Sequence, residues 1–441
     1  MINDNNRFNF LNNFFFCFII IYSFRFLNIY FFLPSFPVDA EWENLFFFSK
    51  AYFNKINFEY IININLHNQR RFFSKLLDLS LFIFFEKNWH PKTFTYFSAI
   101  LPCLVYSFFY AYSVKFAKNH KWLKISLILA MAIPASIGNL YYYSINHFNF
   151  ILITAILSIY FLTKNKNNFT ASFLFLICTF LSMETAGIIL SFVLILVLIS
   201  DYLCNKKIKN LILIFPILCI LFFTLLDTLF HFFDSYYFGI SLAEYPLYSI
   251  RITDVHEYKD IGLIKIFYTF IRGSLYPFGS LFLLLIPLIF LIQQNEGNFI
   301  RNHKFIFFTI IWLLLLLIFI AYFKGRFSDR YKDFFVLFYY IPFYLFFILN
   351  KQKKLGKYFR NYFYLISLII LLLITNRFLH SNHKKYTYFN SLEKSYENII
   401  KHKEDREKFI EVCKSEKFKP YKKCSSLYDL FINDKSYDDI L

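Results

Sequence analysis

From Phe305 to Tyr322 the chain runs through 18 residues without a charged side chain, and Leu281–Ile292 is likewise free of charge. A helix needs about 20 consecutive, mostly apolar residues to cross a bilayer, and a helix that is apolar all round has no wet face to offer water. The whole chain agrees with its runs. Of 441 residues, 58% are hydrophobic, with a mean hydropathy of +0.46, above the roughly 45–50% apolar content of soluble domains. The fold class expected is an all-α polytopic membrane protein. The 66 Phe, together with many Asn, Ile and Lys, partly reflect the codon bias of an AT-rich genome and carry no functional reading.

Length and hydropathy give about 11 spans: 10–33, 93–114, 122–141, 147–163, 169–182, 185–200, 211–226, 263–292, 305–323, 331–349 and 362–379. The short pair 169–182 and 185–200 is compatible with one kinked helix. The first span has no small-residue cleavage site after it and reads as a retained helix. The organisation expected is a transmembrane domain over 1–380, with an outer loop at 34–92, followed by a polar C-terminal tail over 381–441.

The formal charge of +18 resembles a nucleic-acid signal, but Lys and Arg also collect in cytoplasmic loops. Lys115, Lys118, Lys121 and Lys124 form one cluster, Lys164 and Lys166 a second, and Lys206, Lys207 and Lys209 a third. Lys351, Lys353, Lys354, Lys357 and Arg360 form the strongest. The spans put all four on one side, which places the N-terminus in the cytoplasm and the tail outside. The tail is nearly balanced, with 13 Lys/Arg against 11 Asp/Glu, so no nucleic-acid partner is expected. With 9 Gly and no glycine-rich phosphate loop, a nucleotide-driven pump is not expected. Five of seven cysteines lie in or beside apolar segments as packing residues. Cys413 and Cys424 lie in the tail and pair if that tail is outside. No CxxC or His–Cys cluster points to zinc.

The stretch Arg70–Glu86 is too short in its uncharged part to span a bilayer. Phe73, Leu76, Leu77, Leu81 and Phe84 recur in it at helical spacing, with Arg70, Arg71, Lys75 and Asp78 between them. It reads as an amphipathic helix over 70–86 lying on the outer surface.

This topology gathers the unusual polar residues on the outer face. Asp39 and Glu41 open the first outer loop, and His67 and Arg70 come later in it. Asn139 and His147 cross the second outer turn, Glu184 makes the third, and Arg326, Arg330 and Tyr331 the last. Each has a plain alternative. The acids suit a solvated helix end beside an interfacial Trp42, His147 a turn cap, and Arg326 and Arg330 lipid headgroups. Glu184 sits between two apolar helices, where an ionisable group is costly and often functional. Arg25, inside the first span, either snorkels to the interface or faces a polar cavity. Taken together, loop acids provide a base or a ligand for a divalent cation, and arginines match phosphate oxygens. A lipid-phosphate donor, with its tail between helices and its head at the interface, fits that combination.

At this point the chain resembles the GT-C superfamily of membrane glycosyltransferases, including uncharacterised bacterial polytopic relatives. "PVDAEWENLFFF" (Pro37–Phe48) sits where that family has its acidic motif, written Asp-Ala-Glu here instead of Asp-Glu. "LHNQRRFFSKLLDLSLFIFF" (Leu66–Phe85) is similar to a first-loop motif and the surface helix after it, with Gln69 replacing the acid-then-His order. "NLYYYSINHFNF" (Asn139–Phe150) and "GRFSDRY" (Gly325–Tyr331) resemble later outer-loop motifs. The likeness covers about residues 10–380 by topology and these four stretches by residue type.

The resemblance implies transfer of a sugar from a polyprenyl-phosphate donor to a glycan, lipid or protein acceptor, at the outer face of a bacterial inner membrane. It implies Asp39 and Glu41 as catalytic residues, with Asp39 also the candidate ligand for a divalent cation such as Mg or Mn. Arg70 or Arg330 would hold the donor phosphate, His147 and Glu184 would line the acceptor side, and His67, Asn139, Arg326 and Tyr331 would complete the substrate-binding set. Two other classes compete. A transporter or flippase for a lipid-linked or polyanionic substrate would place charges near the bilayer midplane and carry paired repeats, and the sequence gives no clear repeat. A membrane scaffold would act through its charged tail.

Overall fold

The computed structural model describes residues 4–33, 65–66, 69–70, 72–86, 91–114, 120–133, 146–164, 168–182, 184–205, 212–222, 303–324, 332–352, 355–415, 424 and 428. The elements are α1 (Asp4–Phe32), β1 (Asn65–Leu66), β2 (Gln69–Arg70), α2 (Phe72–Phe84), α3 (Pro91–Val114) and α4 (Lys121–Ala132). They continue with α5 (Asn146–Lys164), α6 (Phe169–Ser182), α7 (Glu184–Asn205), α8 (Lys304–Lys324), α9 (Lys332–Lys351), α10 (Lys357–Ile400) and α11 (Arg406–Ser415). The described residues are therefore almost entirely helical. The exception is a two-stranded antiparallel ladder that pairs Asn65 with Arg70 and Leu66 with Gln69.

Among the described residues, four helices are long and apolar enough to cross a membrane: Phe8–Phe32, Lys92–Val114, Thr185–Leu203 and Lys357–Ile400. Shorter apolar helices occupy Asn149–Lys164, Phe169–Ser182 and Lys304–Leu316. The span expected at 263–292 lies outside the described residues. The last one, expected over 362–379, is part of a 44-residue helix, about 66 Å long at 1.5 Å per residue. The position expected to divide membrane domain from tail falls inside that helix.

The chain forms two compact units. The first contains Met1–Phe58, Lys75–Asn146 and Tyr364–Leu441, and the second contains Glu59–Ser74 and His147–Phe363.

In the first unit, α1 and the residue just after it bury a side chain at every fourth position: Cys17, Ile21, Arg25, Ile29 and Leu33. The i, i+4 spacing aligns them on one stripe. Phe8, Phe15, Phe16, Ile19, Phe26, Tyr30 and Phe31 are exposed, an apolar outer face that suits lipid and not water. Helix α3 runs antiparallel to α1. Phe10 meets Phe108 at 6.0 Å between ring centroids, and Phe26 stacks on Tyr96 at 4.4 Å. At the end of the pair, Lys92 Nζ donates to the Tyr30 carbonyl at 3.3 Å. Helix α10 runs parallel to α1, because Phe24 meets Phe378 and Phe32 meets Tyr386, eight residues further along both helices. The start of α4 lies beside α10, with His120 Nδ1 2.6 Å from the Tyr364 hydroxyl.

In the second unit, α5 and α6 form an antiparallel hairpin. Ser158 Oγ donates to the Ser172 carbonyl and Ser172 Oγ to the Ser158 carbonyl, each at 2.8 Å. Thr154 and Thr179 join hydroxyls at 2.9 Å, and Phe161 stacks on Phe175. Small hydroxylic side chains let apolar helices approach closely and add interhelical hydrogen bonds of about 0.6 kcal/mol each. Helices α6 and α7 are separate elements, not one kinked helix. At their close crossing, a Cβ on Gly187 would lie 2.5 Å from Phe180 Cγ. Asp201, near the end of α7, makes an ion pair with Lys304 at the start of α8. Phe305 packs edge-on against Tyr160 near the end of α5, so these three helix ends share one side of the unit.

Helix α2 departs from its expected form in two ways. It starts at Phe72 instead of Arg70, because residues 69–70 pair with β1 and that hydrogen bonding ends the extended segment just before the helix. Its charged face also points inward. Lys75 and Asp78 are 2% and 3% exposed and pair at 3.1 Å, whereas Ile83 and Phe84 are 62% and 73% exposed. An amphipathic helix lying on the outer surface would keep these charges in water, whereas here they are buried and paired. A helix bordering lipid accepts that arrangement, because apolar groups lose nothing by facing hydrocarbon and buried charges keep a partner.

Candidate functional site

The outer-loop residues singled out by sequence divide into three groups. Asp39, Glu41, His67, Asn139, Arg326, Arg330 and Tyr331 lie outside the described residues. Arg70, His147 and Glu184 are placed by their backbones. Arg70 is in β2 opposite Asn65, His147 is the second residue of α5, and Glu184 is the first residue of α7. A carboxylate in the first turn of a helix is stabilised by the unpaired amides there, so Glu184 has a local reason for its charge besides any role in binding. Arg25 is fully described.

Arg25 does not snorkel. It is 1% exposed, and its guanidinium carbon lies 5.5 Å from the ring centroid of Tyr106 on α3. Its depth follows from helix geometry. In the apolar stretch Phe8–Phe32, Arg25 sits about 7 Å past the middle toward the C-terminal end. The Cα–Cβ bond tilts back toward the helix N-terminus, so the long side chain returns toward mid-depth. Tyr106 lies close to the middle of Lys92–Val114. A cation over a tyrosine face contributes about 2 kcal/mol when desolvated, and ionisable groups at this depth are functional by default. Asn28, one turn on, is also buried, and its amide donates to the Phe24 carbonyl at 2.7 Å.

Arg25, Asn28, Lys75 and Asp78 are thus buried polar groups of the first unit. Helix α2 joins the start of α3 through Phe85, whose ring lies 5.4 Å from Phe97 and 6.2 Å from Phe94. The C-terminal end of α1 meets the same end of α3 through Phe26 and Tyr96. The segment that carries Asp39 and Glu41 therefore leaves α1 at the end where α2 enters α3. Among the described residues, no three His, Cys, Asp or Glu side chains come together in a way that would hold a metal ion. Asp39, the expected ligand, is not one of those residues.

A pattern not anticipated from sequence appears at two helix starts. Asn119-His120-Lys121 precedes α4, and Asn302-His303-Lys304 precedes α8. In each case the histidine Nδ1 lies 2.6 Å from a tyrosine hydroxyl of a later helix, Tyr364 for His120 and Tyr344 for His303. The tripeptide occurs a third time as Asn382-His383-Lys384, inside α10, so the sequence alone does not mark the two helix starts. The Asp201–Lys304 pair had no signal either, since 102 residues separate its members.

Comparison with protein-family models, curated proteins and solved structures finds no match to this chain.

Proposed function

We propose that the chain is an integral-membrane glycosyltransferase of about 11 spans, similar in plan to the GT-C superfamily. It moves a sugar from a polyprenyl-phosphate donor to a glycan, lipid or protein acceptor at the outer face of a bacterial inner membrane. Asp39, with Glu41 beside it in sequence, is the catalytic candidate, as a general base or as the ligand of a divalent cation such as Mg or Mn. Arg70 or Arg330 is assigned to the donor phosphate. His147 and Glu184 belong to the acceptor side, and His67, Asn139, Arg326 and Tyr331 complete the set.

The observation that carries this reading is α2. A lipid-linked donor needs an apolar surface continuous with the bilayer beside a polar interior that receives its head. The 13 residues of α2 provide both, with Leu76, Ile83 and Phe84 outward and the Lys75–Asp78 pair inward. The helix comes between the first two long apolar helices, where the family plan has its surface helix.

Two independent features support the orientation. Lys121 and Lys124 lie in the first turn of α4, whose start meets α10 through His120 and Tyr364; basic helix ends favour the cytoplasm. At the far end of the parallel α1 and α10 helices the chain reaches the Cys413–Cys424 disulfide, which belongs to an oxidising compartment.

A transporter or flippase is the second reading. It is favoured by the mid-depth burial of Arg25, since transporters place ionisable groups at mid-membrane. One assay separates the two. Purified protein in sealed vesicles is given a radiolabelled polyprenyl-phosphate sugar. Glycosyl transfer releases the label from its lipid, whereas transport moves the lipid across the bilayer with no covalent change.

A further inference from the structure

The exposed face of α10 changes character along its length. Leu368, Leu372 and Leu379 are 52%, 61% and 61% exposed, and their spacing keeps them on one stripe. His383 continues that stripe, and His380 and Lys384 stand beside it on one flank; all three are exposed. The opposite face is the packed one, with Ser367, Ile370, Ile374 and Phe378 buried. From Leu368 to Leu379 the apolar part of the stripe rises about 16 Å, half the depth of a hydrocarbon core about 30 Å thick. It matches one leaflet, with the cations where the headgroups begin.

The neighbouring helices agree on that level. Phe24 meets Phe378 and Phe32 meets Tyr386, which puts Lys384 of α10 level with Tyr30 of α1. There Lys92 of α3 lies 6.0 Å from the Tyr30 ring, and Tyr30 and Tyr386 are 58% and 46% exposed. Exposed tyrosines beside a lysine mark a membrane–water boundary. The charge of α10 at this boundary is one-sided. Arg377–Lys385 holds three Lys/Arg, two His and no acid, and the helix has no Asp or Glu before Glu393. Lys92 and Glu86, which follows the α2 residue packed on the start of α3, offset one another.

We propose that this face of α10 holds an anionic glycerophospholipid. Its acyl chains lie along Leu368, Leu372 and Leu379, and its phosphodiester is at His380, His383 and Lys384. Charge complementarity selects the occupant. A zwitterionic headgroup brings its own cation and gains little here, whereas phosphatidylglycerol brings a net negative charge and no positive one. Lys384 supplies charge, and the two imidazoles supply ring N–H donors to phosphate oxygens. A second protein helix would approach closely through small residues, and this stripe repeats leucine instead. The site goes beyond the glycosyltransferase reading and does not depend on it.

The test uses the full chain in phosphatidylcholine bilayers, with phosphatidylglycerol or phosphatidylcholine brominated on its acyl chains as quencher at equal mole fraction. Leu372→Trp reports on lipid beside the stripe, as the fluorescence difference from the parent chain. Quenching there is expected to show a preference of about fivefold for phosphatidylglycerol, weakening as salt is raised. Ile19→Trp, at the same depth on the exposed face of α1, is expected to show none. Replacing His380, His383 and Lys384 together with Gln is expected to bring the preference at Leu372→Trp within about twofold. Lys384→Arg is expected to keep it, and so is Lys394→Gln, which removes a charge about 15 Å further along the helix. Equal quenching by the two lipids at Leu372→Trp, or a preference that survives the triple replacement, would overturn the proposal. So would loss of the preference on adding soluble glycerol phosphate, in favour of a site for free phosphate esters. No sugar donor is present, so failure here is distinct from failure of glycosyl transfer.

Discussion

The guanidinium of Arg25 lies 5.5 Å from the ring of Tyr106, and both side chains are buried between α1 and α3 at mid-depth of their apolar stretches. The contact joins a cation that lipid would reject to an aromatic face that lipid would accept. Arg25→Leu and Tyr106→Leu, singly and together, isolate its worth. The double-mutant cycle is expected to give a coupling of about 1–2 kcal/mol, read from unfolding of the purified protein in mixed micelles. Strict additivity would show that Arg25 is held by other groups.

The Asp201–Lys304 pair closes the second unit across 102 intervening residues, with its side chains 9% and 11% exposed. Removing one member of a pair so little exposed leaves a charge without compensation. Asp201→Asn is expected to destabilise by about 2–4 kcal/mol. The exchange Asp201→Lys with Lys304→Asp is expected to recover a large part of that loss, and thermal unfolding measures both. An Asp201→Asn protein as stable as the parent would contradict the assignment.

Gly187 permits the crossing of α6 and α7. An added Cβ would lie 2.5 Å from Phe180 Cγ and 2.9 Å from the Phe180 Cα, so the backbone as well as the ring must move. Gly187→Ala is expected to lower stability by about 1–3 kcal/mol. Phe180→Leu in the same chain is expected to relieve only the side-chain part. A neutral Gly187→Ala would show that the two helices are not held this closely.

The inward charges of α2 predict opposite labelling of its two faces. A single cysteine at Ile83 or Phe84 is expected to react with a lipid-soluble probe, and one at Lys75 or Asp78 to be shielded from both lipid-soluble and aqueous reagents. Preferential aqueous labelling at position 75 or 78 would restore the outward-charged helix that the sequence pattern invites.

That reversal shows what the sequence does and does not make legible. Membrane character is legible in the sequence, because runs such as Phe305–Tyr322 are close to the length and apolarity that crossing a bilayer needs. The start and end of α3, α5, α6 and α8 fall within a few residues of their expected positions, since charged or polar residues punctuate each run. The periodicity of Arg70–Glu86 identifies a helix but not which side faces in: a 3.6-residue period is the same whether the surroundings are water or lipid. Arg25 stands out as an ionisable residue in a span, but its fate depends on Tyr106, 81 positions away. The His120–Tyr364 and His303–Tyr344 bonds are long-range in the same way, and the Asn-His-Lys before each does not single them out, because the same tripeptide recurs at 382–384 inside α10. Of the candidate site, Arg70, His147 and Glu184 have a place in the fold. The acids Asp39 and Glu41 are read from sequence order and from the family likeness.

The most direct test of the account is release of radiolabel from a panel of polyprenyl-phosphate sugars by the purified protein in lipid, with Asp39→Asn and Glu41→Gln beside the parent. The account predicts release from at least one donor and a loss of about 100-fold or more in Asp39→Asn, with the variant's helix content unchanged. Release that survives Asp39→Asn in full, or no release from any donor by a folded protein that carries the same lipids across a vesicle, would contradict it.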